Sequence, residues 1–178
     1  VPRPGLAGPG RRRRAPPARR PVPLPPATFE ESSEAAGHLV RTPGALLLVD
    51  GYNASFHRWP ELGIDEQRDR LVAALAELSA RSGIAVEVIF DGPEGEVLPP
   101  RAGTARRPVL VVFSPTGIEA DRIIVERVAA VSPDRPVIVA TSDRRVRDQV
   151  RAQGANLLTS PQLLELLGRR GGRLGRGE

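Results

Sequence analysis

The sequence predicts a three-layer α/β sandwich built around a doubly wound, mainly parallel sheet of five strands. Short apolar runs rich in β-branched residues alternate with amphipathic stretches, which is typical of βα units. Several runs are apolar at every position, which indicates strands that are buried on both faces. We expect one domain over residues 45–167, preceded by an arm and connector over 1–44 and followed by a tail over 168–178.

Strands and helices are expected to alternate through the domain. The first strand, 45–49, is followed by a helix over 65–81, whose leucines recur at helical spacing and which Gly83 terminates. The other predicted strands are 85–90, 109–113, 137–140 and 156–158, and the other predicted helices are 119–130, 143–153 and 161–167.

The two flanking segments are expected to be disordered for most of their length. Residues 1–27 hold nine prolines, seven arginines and no acid, a composition that cannot form a packed core, and the tail is rich in glycine and arginine. We therefore exclude them from the fold and expect one or two helical turns in the connector 28–44. The domain between these basic segments is mildly acidic, since residues 46–167 hold 14 arginines and 17 acids.

Composition excludes several kinds of chemistry. Cysteine is absent and only His38 and His57 are present, so disulfides, thiolate zinc sites, thiol nucleophiles and histidine-rich metal sites are ruled out or disfavoured. All 26 basic residues are arginine, which removes the P-loop and Schiff-base chemistry. The apolar runs are too short to cross a bilayer, so we expect a cytoplasmic protein with no membrane partner.

Acidic residues follow the predicted strands. Asp50, Asp91 and Asp143 come after the first, second and fourth strands, and Glu119 and Asp121 open the helix after the third. Ligand sites of open parallel sheets lie beyond the carboxyl ends of the strands, so these acids are expected to share one crevice. Crowded carboxylates need a cation to offset their repulsion, and Mg²⁺ or Mn²⁺ could then support phosphodiester hydrolysis without histidine, cysteine or lysine.

Each of these acids also has a structural interpretation. Aspartate is common at helix N-caps, and Asp91 lies in an Asp-Gly-Pro turn signal, so the fourth acidic ligand is open between Asp91 and Glu119. Asn53 is either a turn residue or an amide that orients Asp50 or a phosphate. Ser142 and Thr141 either donate to phosphate or cap the next helix. The arginines expected to hold the substrate backbone are Arg144 and, in the loop 92–108, Arg101, Arg106 and Arg107.

Taken in order, these segments resemble the YacP-like NYN family. The residues that carry the resemblance are LVDGYN at 48–53, VIFDG at 88–92, EADRII at 119–124 and VATSDR at 139–144. It implies a PIN-like nuclease fold, dependence on a divalent metal, RNA as substrate, and a site made of Asp50, Asn53, Asp121 and Asp143 with Asp91 contributing. The chain departs from many relatives at Glu119, where they have threonine, and at Arg122, where they have a second aspartate.

The sequence therefore predicts an endoribonuclease of RNA processing or decay, in which Asp50, Asp121 and Asp143 hold Mg²⁺ or Mn²⁺ directly or through water. Two alternatives stay open. One is a non-catalytic module of the same fold that binds RNA or a ribosomal surface through its basic arms. The other is a small-molecule phosphohydrolase that uses Asp50 as its nucleophile, although Tyr52 stands where such enzymes carry a second aspartate.

Overall fold

The computed structural model of the chain describes residues 18–92, 97–98 and 109–169. Six helices lie in these ranges: α1 (Ser33–Val40), α2 (Gly51–Arg58), α3 (Ile64–Ser82), α4 (Ala120–Ala130), α5 (Arg144–Ala152) and α6 (Ser160–Gly168). The strands in the same ranges are β1 (Leu46–Asp50), β2 (Ala85–Phe90), β3 (Val97–Leu98), β4 (Leu110–Phe113), β5 (Val137–Ala140) and β6 (Asn156–Leu158). None of the helices in these ranges has the length and apolarity needed to cross a bilayer.

The predicted α/β fold is confirmed. The sheet has the order β3-β4-β2-β1-β5-β6, and the five predicted strands are all parallel to one another. One further strand, β3, was not predicted. It has two residues, lies in the segment that was predicted as a loop, and pairs antiparallel with β4. The chain runs outward from β1 to β4 and then returns to β5 on the other side of β1, so the sheet is doubly wound. Its topological switch point lies at the carboxyl end of β1.

Alternate residues of the central strand face two separate cores. Leu47 and Val49 pack with apolar residues of α1, α2, α3 and α6, whereas Leu46 and Leu48 pack with those of α4 and α5. All five residues of β1 are buried, which explains why the four before Asp50 are apolar. The result is a three-layer sandwich, and Asp50 continues the row of side chains that faces α4 and α5.

One ion pair is built into the layer between β2 and α4. Glu87 is 8% exposed, and both of its carboxylate oxygens accept hydrogen bonds from the guanidinium of Arg127, each at 2.7 Å. The bidentate pair raises the pKa of Arg127. Arg127 therefore meets the sheet through its charged end.

Helix α2 is an addition to the predicted pattern. It begins directly after β1, where Asp50 caps it by accepting from the backbone N–H of Asn53 at 3.3 Å. A side-chain carbon at Gly51 would overlap the ring of Phe90, so the absence of a side chain lets the helix start against the end of β2. Glycine and asparagine have low helix propensity, which is why the local sequence indicates a turn here.

Residues 18–32 pack against the domain, contrary to the expectation that the arm stays disordered through residue 27. We call them the N-terminal strap. The guanidinium of Arg19 donates to the backbone carbonyls of Val128 and Val131 at 2.9 and 2.8 Å, at the carboxyl end of α4. The backbone N–H and C=O of Val22 both bond the amide of Asn156, on the edge strand β6. The expectation for residues 1–17 lies outside the described residues, as does that for the tail from residue 170.

The connector forms a regular helix. α1 is capped by Ser32 and packs through Leu39 and Val40 into the core that α6 shares, which agrees with the prediction of up to two turns. Strap residues Glu30 and Glu31 form exposed ion pairs with Arg151 and Arg147 of α5. The ordered structure thus begins well before the predicted domain boundary at residue 45.

Candidate active site

The carboxyl ends of β1, β2 and β5 lie at one edge of the sheet, and each leads into a predicted site residue. Asp50 is the last residue of β1, Asp91 follows β2, and Asp143 comes three residues after the end of β5. Because Val49 pairs with both Val88 and Ala140, the three strand ends are level. Asp121 lies in the first turn of α4, which packs against the same edge through Ala120.

Asp50 is the most buried of the acids, with 7% of its surface exposed. Its Oδ2 accepts a hydrogen bond from the Thr141 hydroxyl at 2.9 Å, and its Oδ1 accepts from the Asn53 backbone. Burial raises the pKa of Asp50 to about 6; the two hydrogen bonds oppose the rise, and the charges of Asp121 and Asp91 add to it. The carboxylate is therefore held in a dry, negatively charged place, where a cation would favour its ionised form.

Asp121 is affected by several of its neighbours. Partial burial raises its pKa first, followed by the negative charges of Asp143, Glu119 and Asp91, while the positive charge of Arg145 opposes the rise. Asp50 and Asp121 thus each respond to other acids of the set, as the prediction of a shared crevice requires. The mutual repulsion is strongest in the absence of a cation.

Asp143 and Asp91 each have a structural bond in addition. Asp143 is the N-cap of α5 and accepts from the backbone N–H of Val146 at 3.0 Å. Asp91 accepts from the backbone N–H of Ala120 at 2.6 Å and so bonds the first residue of α4. In both cases the bond is made to Oδ1, so the capping interpretation and a ligand role are compatible.

Thr141 connects two of the aspartates. Its hydroxyl donates to Asp50 and accepts from the backbone N–H of Asp143 at 3.1 Å. It is fully buried, so the bridge is shielded from competing water. The sequence offered phosphate binding or helix capping for Thr141, whereas the structure shows a side chain that fixes Asp50 relative to Asp143.

Asn53 is held in one orientation by two donors. Its Oδ1 accepts from the backbone N–H of Ser142 at 3.0 Å and from the hydroxyl of Ser160 at 2.6 Å. Ser160 also donates its backbone N–H to the Ser142 hydroxyl at 3.0 Å. Because a backbone N–H can only donate, the acceptor must be the amide oxygen, and Asn53 Nδ2 makes no hydrogen bond within the described ranges. Asn53 therefore offers a donor beside Asp50, in line with an orienting amide.

Ser160 is a residue that sequence reasoning did not select. It is fully buried at the start of α6, where Thr159 and Gln162 form a capping box. Those residues predict a helix start, and a helix was expected over 161–167. Nothing in the local sequence connects Ser160 to Asn53, 107 positions away. Helix α6 is thus part of the support for the site.

Of the four arginines that were expected to hold the substrate backbone, the structure describes only Arg144. Arg144 is exposed in the first turn of α5, and the neighbouring Arg145 is the one whose charge acts on Asp121. Arg101, Arg106 and Arg107 lie outside the described residues. On the other side of the crevice, the guanidinium of Arg68 lies 5.5 Å from the ring centroid of Phe113.

The aromatic residues near the site pack rather than face solvent. Tyr52 lies edge-on to Phe90 at 4.9 Å between ring centroids, and both Tyr52 and Trp59 pack against the core beneath α2 and α3. The structure therefore supports a packing role for Tyr52 and Trp59.

The atoms that could bind an ion at this edge are of the kind that a hard cation prefers. Among the described residues, however, the acidic side chains are not gathered around one ion position. The acids at this edge supply oxygen donors only, which suits Mg²⁺ or Mn²⁺. Within the described ranges, no three acidic or histidine side chains already converge on a common ion position. Since Mg²⁺ usually keeps several waters, the aspartates can act through water without all of them contacting the ion.

The family of the chain follows from comparisons with known proteins. The family model described as the YacP-like NYN domain matches residues 47–173. "Uncharacterized protein YacP" of Bacillus subtilis is 32% identical over 126 residues, which cover 67% of this chain and 72% of that protein.

Two crystal structures of Rae1 (YacP) from Bacillus subtilis are similar to this fold. The first superimposes with a TM-score of 0.56 at 32% identity and covers 68% of this chain and 72% of the other. The W164L mutant gives a TM-score of 0.55 at 27% identity and covers 69% and 74%. The resemblance read from the sequence is confirmed: the chain belongs to the YacP-like NYN domain family, a group of PIN-like nucleases.

Proposed function

We propose that this protein is a divalent-metal-dependent endoribonuclease that hydrolyses RNA phosphodiester bonds in RNA processing or decay. The observation that carries the proposal is the linked set of acids at the switch point: buried Asp50, joined through Thr141 to Asp143 and affected by the charge of Asp121. Membership of a PIN-like nuclease family, whose members generally use divalent metals, supports the same reading.

In this proposal Asp50, Asp121 and Asp143 hold Mg²⁺ or Mn²⁺, directly or through water, and Asp91 contributes from the end of β2. A divalent ion there would activate a water and neutralise charge on the leaving oxygen of the phosphodiester. Asn53 would donate its amide N–H to a phosphate oxygen, since its carbonyl oxygen is already used by Ser142 and Ser160.

RNA is the proposed substrate, with the strand backbone held by arginines. Arg144 and Arg145 lie at the start of α5, immediately after Asp143, where they can neutralise phosphates entering the crevice. The arginine-rich segments outside the domain would add affinity without sequence preference, because contacts from arginine to the phosphate backbone carry no sequence information.

A second candidate is a binding module that recruits RNA or a ribosomal surface without cutting it. The open arrangement of the acids in the described part of the chain is the observation that favours it. The two candidates predict different responses to metal, so one assay separates them.

The test uses end-labelled single-stranded and structured RNA, and DNA of the same sequence, incubated with the purified protein and either Mn²⁺ or EDTA. We expect cleavage of RNA with Mn²⁺ only, and its loss in Asp143→Asn. The matched control is Asp148→Asn, because Asp148 is an exposed aspartate of the same helix.

Asparagine caps helices about as well as aspartate, so Asp143→Asn should keep the fold. If the wild-type protein binds RNA but leaves it intact with every metal, the binding module is the correct function. If both variants cut as well as wild type, Asp143 is not a ligand.

A further inference from the structure

A groove between α4 and α5 opens next to the aspartate crevice and has no role in the function proposed so far. Its volume is about 450 Å³, and its lining includes Ile118, Val125 and Val146 together with the polar side chains of Arg122, Glu126 and Gln149. Sites for small ligands have volumes of roughly 300–1,000 Å³, so the groove has room for one nucleotide.

The groove is continuous with the proposed metal site. Asp121 and Arg145 also line it, and these are the residues whose charges interact at the crevice. A strand that presents a phosphate to Asp121 would therefore place an adjoining nucleoside at the mouth of the groove.

A second cavity, of about 400 Å³ beneath the strap, is lined by residues such as Val22 and Leu157 and by none of the aspartates of the crevice.

The lining has the two kinds of surface that a nucleobase needs. Ile118 and Val125 are half-buried and provide an apolar wall for the face of a ring. Along the rim, Arg122 and Glu126 form an exposed pair at 2.8 Å, and Gln149 is exposed on the facing helix. These side chains supply both donors and acceptors for a base edge.

We propose that the α4–α5 groove is a base-binding subsite for the RNA nucleotide next to the phosphate held at Asp121. This inference rests on the proposed ribonuclease function and adds the part of the substrate that the aspartates do not contact. A peptide ligand is disfavoured because the groove ends at a crowded set of carboxylates, which a strand of phosphates can occupy together with a divalent ion.

The groove can be blocked without touching the aspartates. In Gln149→Trp a large ring replaces an exposed side chain of the lining, and Ala80→Trp is the control, since Ala80 is an exposed residue of α3 in the opposite layer. The affinity of a 12-nucleotide single-stranded RNA is measured by fluorescence anisotropy with Ca²⁺ in place of Mn²⁺, because a divalent ion with oxygen ligands can join the phosphate to the aspartates. We expect Gln149→Trp to raise the Kd about tenfold and Ala80→Trp to leave it within twofold, because contact with one base contributes a factor of about this size.

Photocrosslinking locates the base directly. RNAs carrying 5-iodouridine at single positions are irradiated with the wild-type protein under the same Ca²⁺ conditions, and crosslinked peptides are identified by mass spectrometry. Crosslinks in peptides containing Ile118, Val125 or Gln149 support the subsite, whereas crosslinks confined to other peptides, with an unchanged Kd for Gln149→Trp, overturn it. Neither readout needs cleavage, so a protein that binds RNA here but fails to cut refutes the nuclease and leaves the subsite standing.

Discussion

Replacing Asp50 with asparagine is expected to stabilise the metal-free protein at pH 8. The pKa of Asp50 is raised to about 6 by burial, against about 3.9 for an ordinary aspartate. That difference corresponds to roughly 3 kcal/mol of folding free energy that is present below pH 3.9 and is lost as the pH rises through about 6. Asparagine carries no charge, so it does not lose this contribution.

The gain is reduced by one altered hydrogen bond. Asp50 accepts from Thr141 and from Asn53, whereas asparagine has a single acceptor oxygen, which costs about 1 kcal/mol. The net stabilisation at pH 8 is therefore about 2 kcal/mol, or roughly 6–8 °C in Tm for a domain of this size. At pH 4 the sign reverses, because wild-type Asp50 is then protonated in the folded protein and keeps its own bonds.

Thermal melts followed by circular dichroism in EDTA at pH 4 and pH 8 test this sign change. Asp148→Asn removes an exposed charge and should show no comparable dependence on pH. With excess Mn²⁺ the wild-type Tm should rise and that of Asp50→Asn should rise much less. A mutant that melts below wild type at pH 8 in EDTA would refute the reasoning, since burial of the charge would then not be the dominant effect.

Three further changes test other parts of the structure. Arg19→Ala should lower stability by about 1–2 kcal/mol in chemical denaturation, because it removes the bonds to the end of α4, while Arg20→Ala, at an exposed position, should have little effect. Arg127→Leu should cost about 2 kcal/mol by leaving Glu87 unpaired, and adding Glu87→Leu should recover most of it in the same assay. Deleting residues 1–17 should weaken RNA binding and flatten its salt dependence in anisotropy titrations, because it removes five arginines; an unchanged salt slope would exclude this segment from RNA binding.

The positions of the acids could be predicted because they follow from topology. Once β1, β2 and β5 are parallel, the residues after them must meet at one edge, and Asp50, Asp91 and Asp143 are found there. The strand boundaries could also be read closely, since runs buried on both faces have a distinct composition. Whether these aspartates bind metal stays a prediction.

The parts that could not be predicted depend on contacts without a local pattern. The bond between Ser160 and Asn53 joins residues far apart in sequence, and only the folded chain brings them together. The choice between Arg144 and Arg145 depends on the start of α5, because a change of one residue turns a side chain by about 100° around the helix. The strap was missed for a related reason: Arg19 is held by main-chain carbonyls, which leave no trace in hydrophobic periodicity.

The strap also determines which residues an expressed fragment of the protein should include. The family model begins at residue 47, yet the bonds of Arg19 and Val22 make residues from 18 onward part of the folded unit. A side-chain carbon at Gly154 would overlap the carbonyl of Arg19, so this glycine leaves room for the strap against the turn before β6. A clone trimmed to the homologous region would expose the edge of β6 as a free pairing surface and invite aggregation. The bonds of Arg19 to the domain therefore lie about thirty residues before the first residue that the family model matches.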